Sequence, residues 1–162
     1  MEDPPVLPAA AVHVLKKGCI CGMCEDRRKA NAIKAVKDAA DAAQSALDKK
    51  FKSGMASALT VDEPPPPVSY IGYSMLAGGE DKLNKEVQAA YDRVPMNQRS
   101  DFHSHCAEAR SLSKAIDAGA DLSRAVSAAA AVGKGKRNGR ATPACPSCKW
   151  VLNDLGVKDA HG

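Results

Sequence analysis

The pattern of apolar and polar positions predicts a helix in the first third of the chain, followed by a run of four prolines at residues 64–67. Residues 25–52 carry apolar side chains at spacings of three and four, which is typical of a helix with one narrow apolar stripe: Ile33, Val36, Ala40, Ala43, Leu47 and Phe51. Consecutive prolines favour a stiff, extended spacer and cannot join a helix or a central strand. We therefore predict a helical N-terminal extension over residues 1–63, a proline-rich linker to residue 67, and a separate domain over residues 68–162.

After the prolines, strand-like and helix-like patterns alternate along the chain. The predicted elements are a strand over residues 68–76, helices over 80–94, 106–118 and 145–155, and a final short strand over 156–158. Residues 125–132 fit two descriptions, because their alanines favour a helix whereas their short length and the following glycine suit a buried strand. This alternation predicts an α/β sandwich around a small mixed sheet.

The composition narrows the class of protein without defining its function. Hydrophobic residues make up 44% of the chain and aromatic residues only 4%, so the core must be built largely from Ala, Val and Leu. The net charge of +4 is compatible with a nucleic-acid partner but does not require one. No apolar run approaches the ~20 residues that span a membrane. We therefore expect no membrane partner, and because the first residues lack a basic segment, we also expect no secretory signal.

The six cysteines fall into two groups, Cys19, Cys21 and Cys24 near the start, and Cys106, Cys145 and Cys148 downstream. Such grouping is typical of metal ligands, because a disulfide framework more often spreads its cysteines through the chain. The first group offers only three ligands, so a metal there would need His13 or Glu25 as the fourth. The alternative is that this first group binds no metal.

The second group contains the motif Cys106-Ala107-Glu108 and the pair Cys145 and Cys148. Two cysteines three residues apart at the start of a helix place both thiols on one face, where the helix N-terminus favours thiolates. Three thiolates can hold a zinc ion and leave one coordination position open, as a catalytic site requires. A carboxylate two residues after the first ligand can move protons at that position, so Glu108 is the candidate catalytic residue. The pattern is the three-cysteine form of the zinc nucleobase deaminase motif.

A redox-active C-x-x-C pair is the competing interpretation of Cys145 and Cys148. A redox pair does not require a distant Cys-x-Glu, so the combined pattern favours zinc. His105 is an alternative ligand in place of Cys106, but the spacing to Glu108 argues against it.

The sequence around these motifs resembles the YwqJ-like deaminases, a branch of the cytidine-deaminase-like superfamily that occurs as C-terminal toxin domains of bacterial polymorphic toxins. The resemblance covers residues 68–158 and is carried by the segments His105-Cys106-Ala107-Glu108-Ala109, Leu112-Ser113-Lys114-Ala115 and Cys145-Pro146-Ser147-Cys148-Lys149, with Leu152 and Leu155-Gly156-Val157. It implies a three-layer cytidine-deaminase-like sandwich, a zinc ion and hydrolytic deamination of a nucleobase. The chain departs from the superfamily pattern at one point, because Ala144 separates Pro143 from Cys145.

By motif position, the resemblance implies that Cys106, Cys145 and Cys148 hold the zinc and that Glu108 is the proton shuttle. We therefore predict a deaminase of cytosine in single-stranded DNA or RNA that acts as a toxin-type effector domain. A cognate immunity protein is a further expected partner. The predicted location is the cytoplasm of the producing cell or of a target cell, in the second case as part of a larger secreted toxin.

Six further residues are candidate substrate contacts: His103, His105, Lys134, Lys136, Arg137 and Arg140. The two histidines flank the first motif and can contact phosphate or base, or serve as capping and surface residues. The four cations lie in a glycine-rich loop before the second motif, where they can bind phosphates without reading sequence. The alternative for this loop is a solvated surface.

Two other functions are compatible with the same motifs. A deaminase of free nucleosides or nucleotides needs the same zinc and carboxylate. A non-catalytic zinc-binding interaction module needs the cysteines for folding but not Glu108. Replacement of Glu108 therefore separates an enzyme from a binding module, and a comparison of substrates separates the two enzymes.

Overall fold

The computed structural model describes residues 22–62 and 66–161 of the 162-residue chain. Over these ranges it contains four α-helices: α1 (Gly22–Asp48), α2 (Lys85–Asp92), α3 (Ala107–Asp117) and α4 (Pro146–Asp154). The same ranges contain five strands: β1 (Met55–Val61), β2 (Val68–Tyr73), β3 (Ala125–Ala131), β4 (Ala141–Thr142) and β5 (Lys158–Asp159). No helix in these ranges is long and apolar enough to cross a membrane.

The strands of the described ranges form one small mixed sheet in the order β2-β1-β3-β4. Strand β1 pairs antiparallel with β2 on one side and with β3 on the other. The second edge of β3 is shared, because β4 pairs with its end in antiparallel fashion and β5 pairs with its beginning in parallel fashion. The mixed sheet predicted from the sequence is therefore confirmed.

Helices cover both faces of the sheet, so the three-layer α/β sandwich is also confirmed. Alternate residues of β1 point to opposite faces, as the two-residue period of a strand requires. Ala56 and Ala58 join the core that contains the buried face of α1. Leu59 and Val61 join a second core, built with residues of α2, α3 and α4. The second face is the one that carries the cysteine motifs.

Helix α1 confirms the helix predicted near the start of the chain, but the prediction of its buried stripe was wrong in part. The buried positions are mainly alanines: Ala35, Ala39, Ala42, Ala43 and Ala46. Ile33, assigned to the stripe from the spacing of apolar residues, is 71% exposed. Alanines face the helix from the sheet as well, at Ala128 and Ala130 of β3. Small side chains on both surfaces let α1 lie close to the sheet.

Strand β1 corrects the boundary predicted at the prolines. It lies before the proline run, in residues assigned to the N-terminal extension, yet it pairs with β2 from Val61↔Val68 to Ala56↔Tyr73. The prolines thus fall in the connection between two adjacent antiparallel strands. A proline run ends a strand as effectively as it separates domains, because proline cannot donate to the ladder. Residues 55–61 and the helix before them belong to the sandwich.

The ambiguous segment at residues 125–132 is a strand. Strand β3 (Ala125–Ala131) is buried along its whole length and has hydrogen-bonded neighbours on both edges. Alanine favours a helix in isolation, but pairing and packing override a local preference of this size. The remaining predicted helices are confirmed with shorter bounds, and the strand predicted over residues 68–76 ends at Tyr73.

Strand β2 and helix α3 meet at Gly72 without space for a side chain. A Cβ atom at Gly72 would overlap the backbone nitrogen of Ser111 and the carbonyl oxygen of Ala107. Both are backbone atoms, so only a shift of α3 makes room. Gly72→Ala is therefore expected to lower the free energy of unfolding by ~1–3 kcal/mol, measured by urea denaturation. Gly22→Ala is the control, because nothing lies within 4 Å of that Cβ position. Equal stability of the two variants would contradict this packing.

Candidate metal centre and active site

Three cysteine side chains meet where helices α3 and α4 begin. Cys106 immediately precedes α3, and Cys145 immediately precedes α4, whose first residue is Pro146. Cys148 lies in the first turn of α4. The three Sγ atoms lie within 4.8 Å of one another, and those of Cys106 and Cys145 are 3.4 Å apart. Sulfur atoms in a tetrahedral site with Zn–S bonds of ~2.3 Å are ~3.8 Å apart. The cluster is therefore close enough to hold a metal ion.

The surroundings of the sulfur atoms lower the thiol pKa of Cys145 and raise the thiol pKa of Cys106 and Cys148. Cys106 and Cys145 both sit at helix N-termini, where the partial positive charge of the helix stabilises an anion. Hydrogen bonds from Cys106, Cys148 and the Ser100 hydroxyl lower the pKa of the Cys145 thiol. The hydrogen bond to Cys145 is also the main cause that raises the pKa of Cys106. Cys145 is thus the more acidic thiol of this pair.

Glu108 lies in the first turn of α3, two residues after Cys106, and is only 5% exposed. Burial raises the pKa of its carboxyl to about 7, and the negative charge of Cys145 adds to the rise. A hydrogen bond from its own backbone opposes the shift. A carboxyl whose pKa is near neutrality can both accept and release a proton. Its position and its pKa suit a residue that transfers protons.

A cavity of about 320 Å³ adjoins this cluster, and Cys106, Glu108 and Cys145 all line it. Cys148 is fully buried and is not among the lining residues. The cavity volume lies within the range of small-molecule sites in proteins, which starts at about 300 Å³. A small planar ligand in this cavity would contact the carboxyl and the sulfur cluster together.

The rim of the cavity is largely apolar. Met75, Leu76 and Phe102 line it and are all exposed, Phe102 to 61%. Met75 and Leu76 belong to a short 3₁₀ turn after β2, whereas Phe102 lies in the loop before α3. Three exposed apolar side chains around one opening form a surface on which an aromatic ring can pack.

The structure brings only two of the six candidate substrate contacts to the cavity. His105 lines its rim, and so does Arg137 from the basic loop. Lys134, Lys136 and Arg140 are exposed in the same loop but are not among the lining residues. His103 also lies outside the lining; its Nδ1 atom is 2.9 Å from the Ser147 hydroxyl oxygen.

Arg110 was not among the residues predicted from the sequence, and its side chain bonds to the backbone around the start of α3. Its side chain is buried and donates hydrogen bonds to the carbonyl oxygens of Glu80, Ser104 and Cys106. Burial lowers the pKa of this guanidinium. The sequence did contain one signal for Arg110. It lies one helical turn after Cys106, so a charged residue occupies the buried face of α3. Arg110 joins the loop before α3 to the loop after β2.

Most of the first cysteine group lies outside the residues that the structure describes. Cys19, Cys21 and the alternative ligand His13 fall outside the described residues. Cys24 is buried in α1, and the carboxylate of Glu25 forms an ion pair with Arg28 at 3.1 Å.

An α/β sandwich with three cysteines at two helix N-termini and a carboxylate beside them is typical of zinc-dependent nucleobase deaminases. The family model of the YwqJ-like deaminases matches residues 44–157, which is more than half of the chain, and the protein belongs to this family. The match begins near the end of α1 and includes all of β1, in agreement with the corrected boundary. No curated protein and no solved structure gives a significant match.

Proposed function

We propose that this protein is a zinc-dependent deaminase that converts cytosine to uracil in single-stranded nucleic acid. The observation that carries the proposal is that the buried Glu108 carboxyl and the sulfur atoms of Cys106 and Cys145 line one cavity. Membership in the YwqJ-like deaminases supports the class of reaction. The choice of cytosine follows the resemblance to the cytidine-deaminase-like superfamily, and the choice of a polymer rests on the rim of the cavity.

The residues that would hold the metal are Cys106, Cys145 and Cys148. Their sulfur separations and three-thiolate chemistry suit zinc, which when bound supplies the Lewis acidity that lowers the pKa of water. Hydrolytic deamination replaces the amino group on C4 of cytosine with oxygen from water and releases ammonia. In this reaction Glu108 takes up a proton from water at its carboxylate. It passes this proton to the ring nitrogen N3, then takes the second proton of the same water and passes it to the departing amino group, which leaves as ammonia.

The rim of the cavity supports a polymer as the substrate. Exposed Phe102, Leu76 and Met75 offer apolar surface for a base next to the reactive one, and stacking of this kind tolerates any sequence. Arg137 lines the same opening and can bind a phosphate of the strand. A free nucleoside has neither a neighbouring base nor a phosphate for these contacts. The proposal includes a toxin-type effector role and a cognate immunity protein, as the resemblance implies.

The substrate class is tested by comparing a single-stranded oligonucleotide with free cytidine at low and moderate salt. A variant with Lys134, Lys136, Arg137 and Arg140 all replaced by alanine is expected to raise KM for the oligonucleotide and leave cytidine turnover nearly unchanged. Its rate should also depend less on salt, because fewer counterions are displaced from phosphates. The measurement is kcat/KM for each substrate at each salt concentration.

The control variant replaces three exposed lysines in and beside α1 with alanine: Lys29, Lys37 and Lys49. It removes a similar charge from a surface without a role in the proposal, so its KM should match the wild type. Equal turnover of cytidine and oligonucleotide, together with an unaffected loop variant, would replace this proposal with a free-nucleoside deaminase. Zinc binding without turnover of either substrate would favour the interaction module.

A further inference from the structure

The hydroxyl group of Tyr91 lies against one of the metal-binding cysteines. Tyr91 is on α2 and is 0% exposed, and its oxygen is 3.1 Å from the Sγ atom of Cys148. A buried tyrosine hydroxyl usually needs a hydrogen-bond partner, and this sulfur is one. A metal-bound thiolate has no hydrogen to give, so the tyrosine must then be the donor. Helix α2 therefore supplies a hydrogen bond to a sulfur held by α4.

A second hydroxyl approaches Cys145. The Ser100 oxygen is 3.3 Å from the Sγ atom of Cys145 and 3.2 Å from the Ser147 hydroxyl oxygen. A serine has one hydroxyl hydrogen, and a thiolate attracts it more strongly than a neutral hydroxyl does. The backbone N–H of Ser100 donates to Ser147 at 2.8 Å and fixes the position of Ser100. The two sulfur atoms at the start of α4, those of Cys145 and Cys148, thus each have a hydroxyl donor from outside that helix.

His103 contacts the ring of Tyr91 and, through Ser147, the backbone of Ser100. Its Nδ1 atom is 2.9 Å from the Ser147 hydroxyl oxygen, which already accepts the Ser100 N–H. The hydrogen of Ser147 is therefore available to donate to Nδ1. The rings of His103 and Tyr91 pack in a T-shaped arrangement, with ring centroids 5.5 Å apart and an interplanar angle of 73°. His103 thus packs on the ring of Tyr91 and is linked to Ser100 through Ser147, and these contacts explain its position away from the cavity.

The hydroxyl donors are favourable because the metal-bound sulfur cluster would carry a net negative charge. Three thiolates around one divalent cation carry one negative charge in excess, and Cys106 and Cys148 are buried. Buried charge is costly unless hydrogen bonds satisfy it. Hydrogen bonds to metal ligands also orient them, and their removal typically weakens metal binding by ~10–100-fold. We propose that Tyr91 and Ser100 are positioning residues that hold the thiolates of Cys148 and Cys145 in place for the metal through O–H···S hydrogen bonds.

This inference rests on the metal centre of the proposed function, but its test measures metal binding rather than deamination. The variants are Tyr91→Phe and Ser100→Ala in the full chain, because each removes one hydroxyl and keeps the rest of the side chain. Zn²⁺ affinity is measured by competition with a chelator of known affinity. The absorption spectrum of the Co²⁺-substituted protein reports the sulfur ligands directly.

Each variant is expected to bind Zn²⁺ ~10–100-fold more weakly than the wild type and to shift the thiolate-to-cobalt absorption bands. Tyr73→Phe and Ser45→Ala are the matched controls, because both residues lie away from the sulfur cluster, on β2 and α1. They should bind Zn²⁺ as the wild type does. Circular dichroism checks the fold, and Ser100→Ala carries the test alone if Tyr91→Phe fails to fold.

Wild-type Zn²⁺ affinity and an unshifted Co²⁺ spectrum in Ser100→Ala and in a folded Tyr91→Phe would overturn the inference. A wild-type chain that binds no Zn²⁺ would overturn both the inference and the proposed function. A chain that binds Zn²⁺ but deaminates nothing would contradict the proposed function alone, since the affinities of the variants can still be compared.

Discussion

Glu108→Gln is expected to lower deamination of a single-stranded oligonucleotide by ~10²–10⁴-fold, the usual contribution of a positioned acid–base group. Glutamine keeps the shape of the side chain and cannot carry a proton between water and the base. The zinc content and the thermal unfolding temperature should stay close to those of the wild type, because Glu108 is not one of the three sulfur ligands. The measurements are turnover by a fixed-time assay, zinc by elemental analysis, and unfolding by circular dichroism.

Glu86→Gln is the matched control for this experiment. Glu86 occupies the same position in α2 as Glu108 does in α3, two residues after the residue that caps the helix, but it is exposed to solvent. The control variant should deaminate as the wild type does. Near-wild-type turnover by Glu108→Gln would show that the carboxyl does not transfer the protons. Loss of zinc or of the fold along with activity would show that Glu108 has a structural role and would contradict its assignment to proton transfer alone.

A chain that begins at residue 68 is expected not to fold. It lacks β1, which separates β2 from β3 in the sheet and pairs with both along its length. It also lacks α1, which covers one face of the sheet. The truncated chain should show no cooperative thermal transition, and it should bind Zn²⁺ far more weakly than the full chain, which is the control. Cooperative unfolding together with full zinc binding would restore the domain boundary at the prolines.

The elements with strong periodic or motif signals could be predicted from the sequence, and β1 could not. Its sequence, Met55 to Val61, mixes alanine, serine and threonine with few large apolar residues, so no strand pattern stands out. Its place in the sheet depends on pairing with β2 and β3, one of which is more than sixty residues away. The prolines after it favour a break in the chain, but they do not specify whether that break lies between domains or between paired strands.

The candidate site also contains residues that could be predicted from the sequence and residues that could not. Cys106, Cys145, Cys148 and Glu108 stand out because metal ligands and a proton shuttle require particular residue types at particular spacings. Tyr91 lies 57 residues before Cys148 and occupies a buried position of an amphipathic helix, where the pattern indicates only core packing. Contacts of this kind arise from the packing of α2 against α4, and a single sequence carries no local signal for them.

The most direct test of the proposed deamination uses two single-stranded oligonucleotides, one of DNA and one of RNA, each with one cytosine. The mass of each is measured before and after incubation with the zinc-loaded protein. The account predicts the mass change that accompanies replacement of an amino group by oxygen, with no change after incubation with metal-free protein or with Glu108→Gln. An unchanged mass for both the DNA and the RNA oligonucleotide, with protein that is folded and carries one zinc ion per chain, would contradict it.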